Sequence, residues 1–449
     1  MSYELSRRAF VLGTAVPAAS ATLRLSANQS PTVAVASKPA VLGGKPLRTG
    51  RLPDWPIIEQ EDRNRFLAAL ERREWCRLGA QTTTDFEEEW ARRLGARYAI
   101  GVVNGTSALY AALNALEVGP GDEVLVPPYT FVATVNAVFQ QFALPVFVDT
   151  DFETQQMDPA GIERAVTEHT RCIIPVHLGG NVADMGRILT TAERLQLPVV
   201  EDACQAHLAE WNGKAVGTLG AIGCFSFQAS KILPCGEGGA VVTSREDLYD
   251  RMHAFQNNGR DRKTGTRHGY LHQGGNLRMT EYQAALLQAQ LTRLEEQCRI
   301  REQRARHLTQ LLAQVGGMVP ARMYPGCTRN TWYIYLARYD ADRFKGLSRA
   351  GFLKAMQAEG IPLGPGYQPL NREPFIETLL QSRAFTRIFS ADRLRRYREQ
   401  NRCPVNDRLC EQGLFLSQRV LLAPESEVEL VAAAVERIQR HAEEIARVT

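Results

Sequence analysis

Lys231 stands just after the apolar run Gly223-Cys-Phe-Ser-Phe227 and just before the glycine-rich turn Gly236-Glu-Gly-Gly239. An amine placed straight after a strand of this kind is poorly solvated. Desolvation disfavours the ammonium and leaves the neutral amine, which attacks carbonyls. Lys231 is therefore a candidate to carry a Schiff base, with the Ser226 hydroxyl beside it. Most lysines are solvated surface groups, so the assignment depends on what else the chain brings to the same place.

Three further stretches bear on it. Asn104-Gly105-Thr106-Ser107 lies between a strand-like run and a helical one. Free backbone N–H groups and the positive end of the helix dipole make an anion site there, one that suits a phosphate. A simple Thr or Ser cap is the other reading of those residues. Asp202 closes the apolar strand Pro198-Val-Val-Glu-Asp202; its carboxylate could hold a pyridinium nitrogen protonated or could cap the next helix. Phe131, in Pro127-Pro-Tyr-Thr-Phe131, could stack on a planar ring or belong to the core. Together, a phosphate cradle, an acid for a ring nitrogen, an aromatic face and an aldehyde-capturing lysine meet the requirements of pyridoxal 5'-phosphate.

The elements that must position these residues are legible as alternating runs. Tyr98–Val103, Glu123–Val126, Leu144–Val148, Arg171–Val176 and Pro198–Glu201 read as strands. Helical patterns over Ser107–Leu116, Thr130–Gln141, Pro159–Thr167 and Asp184–Leu195 follow most of them. Such alternation predicts a largely parallel sheet covered on both faces, with the ligand beyond the carboxyl ends of its strands. Trp211-Asn-Gly213 reads as the tip of a hairpin. A long amphipathic helix over about Thr280–Leu311 leads to a smaller C-terminal domain, which mixes the strand-like Thr331–Tyr339 with several helices.

Bulk properties fit a soluble globular protein with a large core. The 449 residues are 44% hydrophobic and 23% charged, and 53 Lys and Arg against 49 Asp and Glu leave a net charge of +4. The two signs are interspersed, so there is no electrostatic footprint for nucleic acid. The nine cysteines are scattered and lack a C-x-x-C pair, which excludes a zinc or disulfide framework and suggests reduced, buried thiols. At the N-terminus, Ser6-Arg-Arg-Ala-Phe-Val11 precedes a short apolar run ending in Ala19-Ser-Ala21, the pattern of a twin-arginine export signal. That run is too short to span a bilayer, so no stable membrane insertion is expected. Use of the signal would place the protein in the periplasm or outside the cell; otherwise it is cytoplasmic. The division expected is residues 1–39 as signal and linker, 40–314 as a large cofactor-binding domain with an N-terminal arm, and 315–449 as the small domain.

The motifs in order resemble the DegT/DnrJ/EryC1/StrS family of pyridoxal-phosphate aminotransferases, which aminate keto-sugars and cyclitols. The resemblance covers roughly residues 40 to 440. It is carried by Gly43-Gly-Lys-Pro46, Asn104-Gly-Thr-Ser-Ala-Leu109, Gly119-Pro-Gly-Asp-Glu-Val124, Pro127-Pro-Tyr-Thr-Phe131, Glu201-Asp-Ala-Cys-Gln-Ala-His207, Phe225-Ser-Phe227 with Lys231, Gly236-Glu-Gly-Gly239 and Gly275-Asn-Leu-Arg-Met279. It implies an α/β fold of type I, with a mostly parallel seven-stranded sheet flanked by helices and a smaller α+β C-terminal domain.

The same resemblance implies roles. Lys231 would be the Schiff-base lysine and proton shuttle, and Asp202 the partner of the pyridine nitrogen. Gln205 would sit near the ring hydroxyl and Phe131 on the ring face. Gly105, Thr106, Ser107 and Ser226 would hold the phosphate, joined by Asn276 from a partner subunit, which implies a homodimer with shared active sites. Arg278 would pair with an acid or meet the donor's carboxylate. The family implies an amino-acid donor, glutamate or glutamine, and a ketone acceptor. Two departures bear on that acceptor: Leu277 replaces the family's usual aromatic, and Tyr333 stands where many relatives have a histidine near the substrate. Two other readings stay open, a synthase for an aminated aromatic acid and a cofactor-binding sensor without turnover.

Overall fold

The computed structural model describes residues 35–263, 270 and 272–449. The twin-arginine-like segment and the linker as far as residue 34 lie outside the described residues. The central strands, in chain order, are β1 (Tyr98–Val102), β2 (Glu123–Val126), β3 (Leu144–Phe147), β4 (Thr170–Ile173) and β5 (Val200–Asp202). A hairpin of β6 (Glu210–Trp211) and β7 (Lys214–Ala215) precedes β8 (Ile222–Ser226) and β9 (Gly239–Thr243). β3, β2 and β4 pair in parallel, β5 pairs in parallel with β8, and β9 runs antiparallel between β8 and β1. Parallel bridges at Ile173–Val199 and Val176–Asp202 join β4 to β5. One sheet results, in the order β3-β2-β4-β5-β8-β9-β1, with β9 alone reversed. The mostly parallel, seven-stranded expectation holds.

Why these runs form central strands is plain from burial. All of β2, β3, β5, β8 and β9 is buried, as a strand covered on both faces requires. Helices Gly105–Ala115, Ala133–Phe139 and Met185–Arg194 follow β1, β2 and β4; the first starts two residues before its sequence pattern and the other two are shorter than theirs. The expected helix over Pro159–Thr167 is instead a 3-10 turn at Pro159–Gly161 and a single turn at Ile162–Ala165; the chain turns extended at Val166. Asp158 does cap it, its carboxylate accepting from the Ala160 N–H at 3.0 Å. The hairpin tip falls at Asn212 and Gly213, both left-handed (φ 48° and 74°), as a two-residue turn of the favoured hand demands.

The long helix spans Glu281–Val315 and opens on a capping box of Thr280 and Gln283. Beyond it lie β10 (Met318–Pro320), β11 (Cys327–Arg329), β12 (Ile334–Tyr339), β13 (Leu363–Pro365) and β14 (Gly413–Ser417). β11 extends the β6–β7 hairpin, and the others form an antiparallel sheet in the order β10-β12-β14-β13 with its own apolar core. The strand expected from Thr331 begins three residues later, because the chain reverses at Trp332 with φ 54°. All nine cysteines are free, and seven are buried. No helix among the described residues is long and apolar enough to cross a membrane.

Candidate active site

The parallel strands end on one edge of the sheet, and β9 starts there. That edge carries the loops after β1, β2, β5 and β8 and the glycine turn before β9, which together line a cavity of about 520 Å³. Lys231, Asp202, Gln205, Ser226, Phe131, Gly105, Thr106 and Tyr333 all line it. All but Tyr333 meet because each follows or ends a strand of the same sheet; Tyr333 arrives from the residue before β12 of the C-terminal sheet.

At one end of the cavity sits the start of the Gly105–Ala115 helix. Asn104 Oδ1 accepts from the Ser107 N–H at 2.8 Å and caps the helix, which leaves the Gly105 and Thr106 N–H groups in the unsatisfied first turn. Ser107 is itself absent from the cavity wall, its N–H already taken. Gly105 cannot be replaced by a larger residue without movement: a Cβ there would lie 2.7 Å from Ser226 Cβ and 3.0 Å from Cys204 Sγ. β8 and this helix are thus pressed together at their ends.

Asp202 is buried at the end of β5. Its Oδ2 accepts from Thr134 Oγ1 at 2.8 Å and its Oδ1 from the Cys204 N–H at 3.2 Å. Thr134 in turn lies 3.0 Å from Thr130 Oγ1. Among the described residues no cation lies within ion-pair distance of this carboxylate, although burying an unpaired acid is costly. A protonated ring nitrogen in the cavity would supply the missing charge, and that complementarity is the best test that the pocket fits pyridoxal phosphate. Phe131, 55% exposed, is not a core residue; its ring stands at the cavity wall.

Gln205 is buried and fixed at both ends of its amide, accepting from the Gly179 N–H at 2.9 Å and donating to Tyr367 Oη at 3.2 Å. Beneath the floor lies His207, whose Nε2–H donates to the Ser226 carbonyl at 2.7 Å. Burial pushes its pKa down to about 3, against the Ser226 hydrogen bond that would raise it, so the ring is neutral and braces the end of β8. Lys231 is half-buried. Its loop closes through the Ala229 N–H to Gly236 and the Phe227 N–H to Gly238 carbonyl bonds, 2.8 and 2.7 Å.

Asn276 and Arg278 lie elsewhere, on a segment running beside β1, where Asn276 bridges Asn257 and Arg278 bridges Val102. Asn276 is exposed. The Arg278 guanidinium donates to Asn257 Oδ1 at 3.0 Å, so its partner here is an amide rather than an acid. The sequence reading had not singled out Thr134, Gln228, Ser230, Glu237 or Tyr367, which also line the cavity. Thr134 lies three residues beyond the Pro127-Pro-Tyr-Thr-Phe131 motif, about one helical turn on; Tyr367 follows no motif.

Comparison with known proteins gives the family and the fold. A model of the DegT/DnrJ/EryC1/StrS aminotransferase family matches residues 56–436. The 3-amino-5-hydroxybenzoate synthase of Amycolatopsis mediterranei is 36% identical over 395 residues, 86% of this chain and 97% of that protein. An L-glutamine:2-deoxy-scyllo-inosose aminotransferase of Streptoalloteichus tenebrarius is 34% identical over 420 residues, 90% and 97% of the two chains. The crystal structure of a 3-amino-5-hydroxybenzoic acid synthase superposes with a TM-score of 0.76 at 33% identity, over 88% of this chain and 99% of the other.

Proposed function

The chain belongs to the DegT/DnrJ/EryC1/StrS aminotransferase family, pyridoxal-phosphate enzymes of fold type I, and from that premise we propose that it moves the amino group of glutamine or glutamate to the ketone of a cyclitol. The observation that carries this is the convergence of Lys231, Asp202 and the Asn104–Thr106 turn on one cavity. The donor leaves as a keto acid and the acceptor as an amine, so amino group and carbonyl oxygen are exchanged and nothing is oxidised overall.

Pyridoxal phosphate supplies, when bound, an aldehyde that captures amines and a ring that stores the electron pair left when a substrate proton departs. The rest falls to the chain. The Gly105 and Thr106 N–H groups and the Ser226 hydroxyl bind the phosphate, and Phe131 covers a ring face. Asp202, oriented by Thr134 and the Cys204 N–H, holds a proton at the ring nitrogen. Lys231 Nζ would be the amine that holds the aldehyde. Once free, Nζ would be the base that takes the substrate proton and the acid that returns it one carbon away, with the reverse transfers for the acceptor.

The choice of a cyclitol follows the scyllo-inosose relative and the wall itself. Among the described residues Lys231 is the only Lys or Arg lining the cavity, beside Asp202 and Glu237, which suits a neutral polyhydroxy ring better than a phosphorylated one. The second reading, an aminated aromatic acid synthase, is favoured by the 36% identity to 3-amino-5-hydroxybenzoate synthase. A homodimer with Asn276 reaching the partner's phosphate site, and an export signal at the N-terminus, belong to the same proposal. Incubation with glutamine should convert the cofactor's aldehyde absorbance to that of the amine, and a panel of inososes, keto-sugars and cyclic keto acids should then restore it selectively. Restoration by the keto acids alone overturns the cyclitol reading; an inert cofactor overturns amino transfer. Borohydride reduction and peptide mapping should find the pyridoxyl group on Lys231.

A further inference from the structure

Lys231 has no carboxylate within ion-pair distance among the described residues. Its Nζ instead lies 4.4 Å from the centroid of the Tyr333 ring, so the ring face packs against the amine and limits where it can point. Tyr333 comes from the lead-in to β12, where Asn330 Oδ1 accepts from the Trp332 N–H at 2.9 Å and Trp332 stacks on Tyr335. The left-handed turn at Trp332 that shortened the expected strand frees Tyr333 from the sheet and presents it to the lysine.

The ring is locked by its hydroxyl, 2.8 Å from Ser230 Oγ. Ser230 Oγ donates its single proton to Gln228 Oε1 at 2.6 Å, so the tyrosine must be the donor to Ser230. Gln418, just past β14, donates through Nε2 to the Ser230 carbonyl at 2.7 Å. The residue immediately before the lysine is therefore gripped twice by side chains of the C-terminal sheet, from the ends of its neighbouring strands β12 and β14.

We infer that Tyr333 and Gln418 clasp Ser230 and thereby position Lys231, Tyr333 through its ring face and Gln418 through the loop backbone. Both are positioning residues, and the inference rests on reading Lys231 as the lysine that captures the cofactor's aldehyde. In that capture Nζ bonds the aldehyde carbon, and the aldehyde oxygen leaves as water with the two amine protons. Holding Nζ near its line of approach speeds the step without altering how the phosphate and ring are bound.

Two measurements on the full-length chain stripped of cofactor separate these effects. Affinity for pyridoxamine phosphate, which lacks the aldehyde, reports the cradle alone. The rate of pyridoxal phosphate capture, followed by absorbance and by borohydride-trapped mass on Lys231, reports the amine. Tyr333→Leu should slow capture about ten-fold while leaving pyridoxamine phosphate affinity within about two-fold. Tyr333→Phe, which keeps the ring, should recover most of that rate, and Gln418→Ala should slow capture on its own. Ser230→Ala combined with Tyr333→Phe should be no worse than Ser230→Ala alone, since the serine change already removes the hydrogen bond to the tyrosine together with that to Gln228. Capture at the wild-type rate by Tyr333→Leu, or affinity falling in step with rate, overturns the clasp. Wild-type protein that binds pyridoxal phosphate without labelling Lys231 instead overturns the reading of the lysine beneath it.

Discussion

At the scale of residues, the site is a set of charges placed against their ordinary environments. Asp202 is buried without a cation among the described residues, held by the Thr134 hydroxyl and a backbone N–H. Asp202→Asn keeps the shape but removes the charge that would hold a ring proton, so kcat should fall about 10²-fold or more while the protein still binds cofactor, as single-turnover absorbance would show. His207 gives a second, independent test. Its pKa in the folded protein is about 3, below the usual 6.5 of an unfolded histidine, so between those values the unfolded chain binds the extra proton. Its contribution to stability is then complete above about pH 6.5 and lost as pH falls, by up to about 1.4 kcal/mol per pH unit. His207→Gln retains a donor for the Ser226 carbonyl but cannot titrate. Urea unfolding of both proteins from pH 7 to 4 should show the wild type losing stability faster; parallel curves would mean that His207 titrates normally in the fold.

At the scale of elements, what could be read in advance was what a local pattern encodes. β2, β8 and β9 are apolar but for one end residue each, Glu123, Ser226 and Thr243, and the Asn104 turn, the Asp202 strand end and Lys231 each sit next to an apolar run, so their convergence followed once a parallel sheet was expected. Where tertiary contacts overrode pattern, the sequence was silent. Trp332 adopts a left-handed turn inside what reads as β-rich sequence, because Asn330 and Tyr335 hold it there. Tyr367 reaches the cavity through a loop with no motif, and Ser230 and Gln418 matter only through each other. Glu201 is the clearest such case: beside the candidate Asp202, it points away from the cavity, fully buried. Its carboxylate accepts from the Gly217, Leu219 and Gly220 N–H groups at 2.7–2.8 Å and from His177 Nε2 at 3.0 Å, tying β5 to the turn that launches β8. Glu201→Gln puts an amide N–H against donors and should cost about 3 kcal/mol or more of stability, seen as a lowered midpoint in thermal or urea unfolding. A loss under about 1 kcal/mol would mean that the turn holds itself.

At the scale of the whole molecule, one face remains to be explained. Ile58, Phe66, Leu67, Leu70, Trp75 and Leu78 are each 37–62% exposed, on and around the Gln60–Arg72 helix. Scattered apolar residues on a surface need no cause, but these cluster. Pro56, Ile58, Phe66 and Leu286 also form a groove with Pro234, Cys235 and Gly236, so the face abuts the back of the lysine loop. A second copy seated there would bring a partner's segments close to the cavity, in keeping with the proposal that Asn276, exposed beside β1, serves the other subunit's phosphate site. Sedimentation should then give about 100 kDa, twice the 50.0 kDa chain, and charges introduced by Phe66→Glu with Leu70→Glu should return it to the single-chain mass. Mixing gives a sharper test. Lys231→Ala lacks the amine and Asn276→Ala weakens the phosphate site it lends, so each pure variant is impaired in both of its sites. A mixed dimer concentrates both defects in one site and leaves the other with the wild-type complement. Activity of the mixture, assayed at cofactor concentrations limiting for Asn276→Ala, should therefore exceed that of either parent by several-fold. A mixture no more active than the average of its parents would mean that each chain builds its site alone.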